Sequence, residues 1–267
     1  MYTEGHSAQP SNGFSLVELS IVLVILGLLV GGILAGQSLI RAAEIRSVTT
    51  ESQKFMTGFN AFRDRYMGYP GDLTNATAFW GDDNAACPDA AVANGTPGTC
   101  NGNGNAFMDA GAAGATSELF QLWKQMALAG LIEGNYSGLA GAGGSFHYVM
   151  GTNGPRSKVT NAGWGIASRM PNFGGGPNDY KLDYGNFLAI GTQTASSMPT
   201  AAAFRPEEAW NIDTKMDDGR PGLGKVIVTN WNDACATGGA TNADLATSVY
   251  KLSENSVQCA IYFLKVF

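Results

Sequence analysis

Positive charge is scarce in this chain. Lys and Arg number 16 against 22 Asp and Glu, the formal net charge is −6, and no basic run occurs in the 267 residues. Non-specific nucleic-acid binding rests on many Lys and Arg contacts to phosphate, so no nucleic-acid partner is expected. Histidine is nearly absent: His6 and His147 are the only two. With four cysteines that lack C-x-x-C spacing, this argues against a zinc centre and against thiol redox catalysis. The motifs of common catalytic machinery are missing as well, namely G-x-S-x-G, H-E-x-x-H, Walker A and the dinucleotide glycine pattern. His147, in Gly-Ser-Phe-His147-Tyr, sits in an apolar run and reads as a half-buried structural histidine. The chain is therefore not expected to be an enzyme. Paired carboxylates need no local motif, however, and keep a carbohydrate-active enzyme or binding protein as the rival reading.

One long hydrophobic run is present. Residues 13–36 are apolar apart from a few small polar side chains and a single ionisable one, Glu18, which follows closely on a Gly13-Phe14 junction. A carboxylate in a membrane helix costs about 2.5–3.5 kcal/mol on insertion scales, so by default it marks function. Its natural partner is a cation created by processing. If the chain is cut between Gly13 and Phe14, the new α-amino group of Phe14 is that cation. From Leu19 to Gly36 the run is about 27 Å long as a helix, enough to span a bilayer. Gly27, Gly31, Gly32 and Gly36 weaken this helix locally or let it pack closely on others.

Gly13, the aromatic Phe14, Glu18 and the uninterrupted apolar stretch resemble the class III signal of type IV pilins and type II secretion pseudopilins. The resemblance implies cleavage by a prepilin peptidase on the cytoplasmic side, followed by methylation of the Phe14 amine. The mature subunit would then wait in the inner membrane with its C-terminal domain in the periplasm. An inner-membrane assembly platform would lift it into a filament of pilin or pseudopilin subunits, with Glu18 facing the N-terminus of a neighbour. Two further segments, Tyr66-Met-Gly-Tyr-Pro-Gly-Asp-Leu73 and Ile212-Asp-Thr-Lys-Met-Asp-Asp-Gly219, look like those of larger prepilin-like proteins. The size of the outer domain points to a minor subunit. A secretory signal ending near Ala35, or a plain anchor, would not call for Glu18. Residues 1–12 carry Glu4 and no Lys or Arg, while Arg41, Arg46 and Lys54 follow the span, a departure from the positive-inside pattern.

Beyond the span the pattern becomes amphipathic. Ile45, Val48, Ser52, Phe55, Phe59, Phe62 and Tyr66 recur at three- and four-residue steps, one stripe of a helix laid on a globular domain. Glu44, Arg46, Glu51, Lys54, Arg63 and Asp64 fall off that stripe and read as its wet face. Tyr69-Pro70-Gly71 ends the helix, since Pro70 lacks an amide proton and Gly71 permits a turn. The division is thus a leader over 1–13, a membrane helix over 14–36, its amphipathic continuation over 37–69 and a globular domain over 70–267. A helix is expected over 117–132, capped by Ser117, and a short one from Pro206. Strands are expected over 146–150, 187–191, 225–229 and 257–267. The fold class is α+β, a long N-terminal helix packed on an antiparallel sheet domain with long Gly- and Asn-rich loops.

Four cysteines allow three pairings. The simplest is local, Cys87 with Cys100 and Cys235 with Cys259, each closing a loop in a compartment where disulfides persist. The second pair also looks like the C-terminal disulfide loop of pilins. Three oxygen-rich groups are candidates for calcium: Asp213 with Asp217 and Asp218, residues 101–105 with Asp109, and Asp82 with Asp83 and Asn84. Lys215 lies inside the first group and offers an ion-pair partner instead.

Overall fold

The computed structural model describes residues 13, 15–82, 87, 98–110, 117–169, 179–229, 234–238 and 245–267. In chain order the elements are α1 (Leu16–Tyr66), α2 (Ala76–Trp80), α3 (Glu118–Leu128), β1 (Ala162–Arg169), β2 (Gly185–Thr192), α4 (Pro206–Met216), β3 (Val226–Val228) and β4 (Ile261–Phe263). The chain divides into two compact units, Met1–Ala43 and Glu44–Phe267.

In the first unit α1 is apolar all round and buries nothing. It is long and apolar enough to cross a membrane, and Leu16, Leu28 and Leu39 stand 86%, 73% and 71% exposed. A helix with no polar face, left uncovered by the described residues, suits lipid. The helix passes unbroken through Gly27, Gly31, Gly32 and Gly36, and none of the described residues comes within 4 Å of a Cβ built on them.

In the second unit the expected stripe is the buried one. Val48, Ser52, Phe55, Phe59 and Phe62 are buried, with Ile45 and Tyr66 packed at the margins. Phe55 meets Trp123 of α3 edge-on at 5.1 Å and Trp164 of β1 at 5.5 Å; Phe59 meets Phe267 at 5.3 Å. Such ring pairs contribute about 0.5–1.5 kcal/mol each beyond the area they bury. The helix stops at Tyr66, where Met67 turns left-handed (φ 57°), and Asp72 N–H closes the following turn on Tyr69 O. Gly71 is needed there. Its φ is +90°, and a Cβ would lie 2.5 Å from the Glu118 carbonyl oxygen.

The sheet has order β1-β2-β4-β3 with every neighbouring pair antiparallel. Alternation puts Trp164 and Ile166 of β1, Leu188 and Ile190 of β2, and Ile261 and Phe263 of β4 on the face that packs on α1. The opposite face is small on β1, where Gly163, Gly165 and Ala167 alternate. That smallness lets residues 198–201 lie flat on the sheet. A Cβ on Gly165 would come within 2.4 Å of Met198 Cε, and one on Gly191 within 2.5 Å of the Pro199 and Ala201 carbonyl oxygens.

Several elements depart from the expected ones. Helix α3 ends at Leu128, because Gly130 (φ 71°) closes it with Leu131 N–H donating back to Met126 O. Ser117 holds the N-cap position but makes no side-chain cap bond; its hydroxyl donates to Asp109 O instead. Residues 146–150 form no strand: Met150 makes only an isolated bridge to Gly154, and the Asn153 side chain takes the Val149 N–H and gives to His147 O. Strand β1 falls where no strand was expected. Of 257–267 only Ile261–Phe263 pairs as a strand, with Cys259 bridged to Phe204 before it.

Candidate functional site

The first turn of α1 carries the candidate processing and assembly residues. Ser15 precedes the helix and Glu18 sits in its first turn, the S-x-x-E spacing of a capping box. The Ser15 N–H donates to Glu18 Oε2 at 2.8 Å, and the Val17 N–H donates to Ser15 Oγ at 3.3 Å. A helix start leaves amide protons unsatisfied, and an acid there also meets the positive end of the helix dipole. Gly13 is exposed just before this turn. Phe14 lies outside the described residues. The unit therefore presents one carboxylate at the head of an apolar helix, with Arg41 the next ionisable residue along it.

The second unit holds the other sequence candidates. Cys87 is bonded to Cys100 and Cys235 to Cys259, with Cα separations of 5.4 and 5.1 Å. The first bridge is fastened to α3 by two buried amides. Gln125 accepts from Gly71 N–H and donates to Cys100 O, while Gln121 accepts from Thr99 Oγ1 and donates to Gly138 O. The second bridge joins the loop before Ala236 to the entry of β4, and both of its cysteines are wholly buried.

The carboxylates of Asp213, Asp217 and Asp218 gather within 4.8 Å of one another. Three carboxylates supply the oxygen chemistry of a calcium site. Here they also bracket a loop. Asp213 accepts the Tyr250 hydroxyl at 2.8 Å and Gly219 N–H at 3.2 Å, Asp217 accepts the amides of Lys225 and Val226, and Asp218 accepts Arg220 N–H at 2.8 Å. Burial pushes the Asp213 carboxyl up to about 7, against the lowering pull of those bonds, and the nearby Asp218 and Asp217 charges add to it. The Tyr250 phenol is driven well up, first by burial and then by the Asp213 charge.

The second oxygen-rich loop is organised by three acids. Asp72 accepts the amides of Gly104, Asn105 and Ala106; Asn103 and Asn105 both donate to Asp109; Glu118 accepts the amides of Asn103 and Asp109. Burial raises Glu118 to about 7, with the Asp72 and Asp109 charges adding a smaller push. Of the third group, Asp82 pairs its backbone with Thr99, and Asp83 and Asn84 lie outside the described residues. His147 Nδ1 accepts Gly143 N–H at 2.7 Å, a structural use of the ring.

Sequence reasoning missed the acids on α1. Glu51 was placed on the wet face, yet it accepts Trp164 Nε1–H at 2.7 Å, Ser157 Oγ–H at 2.7 Å and Lys158 N–H at 3.0 Å. Glu44 likewise accepts Thr160 Oγ1–H at 2.5 Å. These bonds clamp the approach to β1 onto the helix. No local pattern distinguishes such a glutamate from a solvated one, because its partners lie more than a hundred residues away.

A long helix that is apolar at its head and striped behind, carrying an antiparallel sheet domain, defines a pilin-like α+β protein on a candidate membrane anchor. The chain matches the family model described as the prokaryotic N-terminal methylation motif over residues 9–34, the signature of type IV pilin and pseudopilin precursors. No curated protein and no solved structure matches it.

Proposed function

We propose that this chain is a precursor of a minor subunit of a type IV pilus or type II secretion pseudopilus. A prepilin peptidase cuts it between Gly13 and Phe14, and it assembles from the inner membrane with other pilin-type subunits. The observation that carries the reading is the methylation motif over 9–34, with Glu18 the sole ionisable residue at the head of an exposed apolar helix. An amine and a carboxylate are each costly in hydrocarbon alone. Paired, they tolerate it, and the pairing selects the register between subunits. Glu18 lies in the first helical turn, so its carboxylate reaches the backbone amides at the head of the chain, as its bond to Ser15 N–H illustrates. The role is structural, and no reaction is assigned to the outer domain.

Glu18→Leu tests it in the native host. The variant is expected in the membrane with its leader removed, while sheared filament yield falls at least tenfold. Filament yield equal to the parent's overturns the pairing. Gly13→Val is expected to retain the leader, read by intact mass, and N-terminal sequencing of the parent is expected to begin at Phe14.

A further inference from the structure

Residues 129–138, just past α3, form neither helix nor strand. They read Ala-Gly-Leu-Ile-Glu133-Gly-Asn135-Tyr-Ser137-Gly, and Asn135-Tyr-Ser137 has the N-x-S/T pattern of an N-linked glycan acceptor. We propose that Asn135 carries an N-linked oligosaccharide. The inference rests on the outer domain lying across the membrane, as in the reading above, and not on filament assembly.

The fold turns this asparagine outward. Glu133, Gly134 and Asn135 are exposed, while Tyr136 is buried and packs in the core. Gly134 makes the turn possible: its φ is +119°, and a Cβ there would meet the Tyr136 hydroxyl at 2.7 Å. Tyr136 O–H donates to Glu133 O at 3.0 Å, so the buried ring anchors the loop from beneath. The Asn135 carboxamide makes no hydrogen bond to the described residues, and a sugar on its Nδ2 displaces no contact of the folded domain.

An amide nitrogen is a weak nucleophile, so an acceptor is defined by the groups a transferase can hold beside it. The Ser137 hydroxyl is one. It accepts Leu139 N–H at 3.3 Å and makes only a long 3.5 Å contact to Leu139 O, so its proton is loosely held. Glu133, exposed two residues before Asn135, is the other, a carboxylate for a cationic pocket. Asn75-Ala-Thr77 and Asn94-Gly-Thr96 share the N-x-S/T pattern, but Leu73 and Val92 stand where Glu133 does.

Transfer takes place on the chain as it crosses the membrane, before Tyr136 packs, when the five residues from Glu133 to Ser137 can lie extended. The donor is an oligosaccharide on a polyprenyl diphosphate. Asn135 Nδ2 forms a bond to the anomeric carbon, and the bond from that carbon to the diphosphate oxygen breaks. The lipid diphosphate leaves with the electron pair, and one Nδ2 proton passes to a base of the transferase. Folding then buries Tyr136 and leaves the modified nitrogen in solvent.

The test uses the full chain purified from membranes of the native host. Mass spectrometry of the peptide carrying Asn135, with electron-transfer fragmentation, is expected to show hexose or hexosamine increments on that residue. Asn135→Gln and Ser137→Ala are expected to abolish the increment, and Ser137→Thr to keep it. Glu133→Gln is expected to lower the modified fraction at least about fivefold, the loss of one charge-assisted contact. Asn135 and Glu133 are exposed, so their variants keep the parent's Tm and separate modification from folding. Alkylation before reduction reports the Cys87–Cys100 and Cys235–Cys259 bridges in the same digests. Bare Asn135 with both bridges formed overturns the proposal and leaves the membrane placement standing. Bare Asn135 with free thiols overturns the placement, and the proposal with it. An increment that survives Asn135→Gln or Ser137→Ala, or that Glu133→Gln leaves unchanged, also overturns the proposal.

Discussion

Glu51→Ala should unfasten the sheet from the long helix. The carboxylate accepts three hydrogen bonds, from Trp164 Nε1, Ser157 Oγ and the Lys158 amide. Trp164 is wholly buried, so its indole N–H has no water to turn to once the acceptor is gone. A hydrogen bond to a charged group contributes about 1.5–3 kcal/mol, and a buried donor left unpaired costs about 1–3 kcal/mol. Lys158 is exposed and regains water, so the three bonds do not sum, and a loss of about 3 kcal/mol is expected. For a unit of this size, about 2–4 °C per kcal/mol gives a fall in Tm of roughly 6–12 °C. Glu51→Gln separates charge from shape. Its single amide oxygen serves Trp164 and Ser157, but its NH₂ then faces the Lys158 N–H, so a loss of about 1–2 kcal/mol is expected. Thermal unfolding of the full chain, followed by near-UV circular dichroism and tryptophan fluorescence, gives both values. A loss below about 0.5 kcal/mol for the alanine variant, within the scatter of ordinary surface changes, would refute the clamp.

Two further outcomes follow from the same unit. Glu118 and Asp213 both have carboxyls raised to about 7, so the folded state holds their protons more tightly than the unfolded chain does. The stability this contributes is fully present below about pH 4 and is lost as pH rises through 7. At 1.36 kcal/mol per pKa unit, reduced for solvent screening at the partly exposed Glu118, each group contributes about 1–3 kcal/mol. Urea titrations from pH 4.5 to 8 should show this decline, and Glu118→Gln with Asp213→Asn should flatten it; an unchanged slope in the double variant would contradict it. Gly191→Ala should cost about 1–3 kcal/mol, because the new Cβ meets two backbone carbonyl oxygens that cannot rotate away. A denaturation midpoint equal to the parent's would show that 198–201 does not lie on the sheet as described.

The elements that were legible in the sequence are those built from local periodicity. The apolar head of α1 and the stripe from Ile45 to Tyr66 could be read because a helix repeats its faces every three to four residues, whatever packs on them. Pro70-Gly71 marked the end of that helix because a missing amide proton and a positive φ are properties of single residues. Strand β2, rich in large apolar residues, was legible for similar reasons. Strand β1 was not, because one of its faces is Gly163, Gly165 and Ala167. The two glycines leave room for side chains from elsewhere in the chain, Tyr148 and Met150 over Gly163 and Met198 and Pro199 over Gly165.

The sequence by itself determined that an apolar helix headed by Glu18 precedes a cysteine-bearing domain, since hydrophobicity, charge and residue order need no partner to be read. Tertiary structure decided which acids became brackets and which glutamate became a clamp. Each of those depends on residues far apart in the chain meeting at hydrogen-bond or van der Waals distance, and such meetings leave no trace in local spacing.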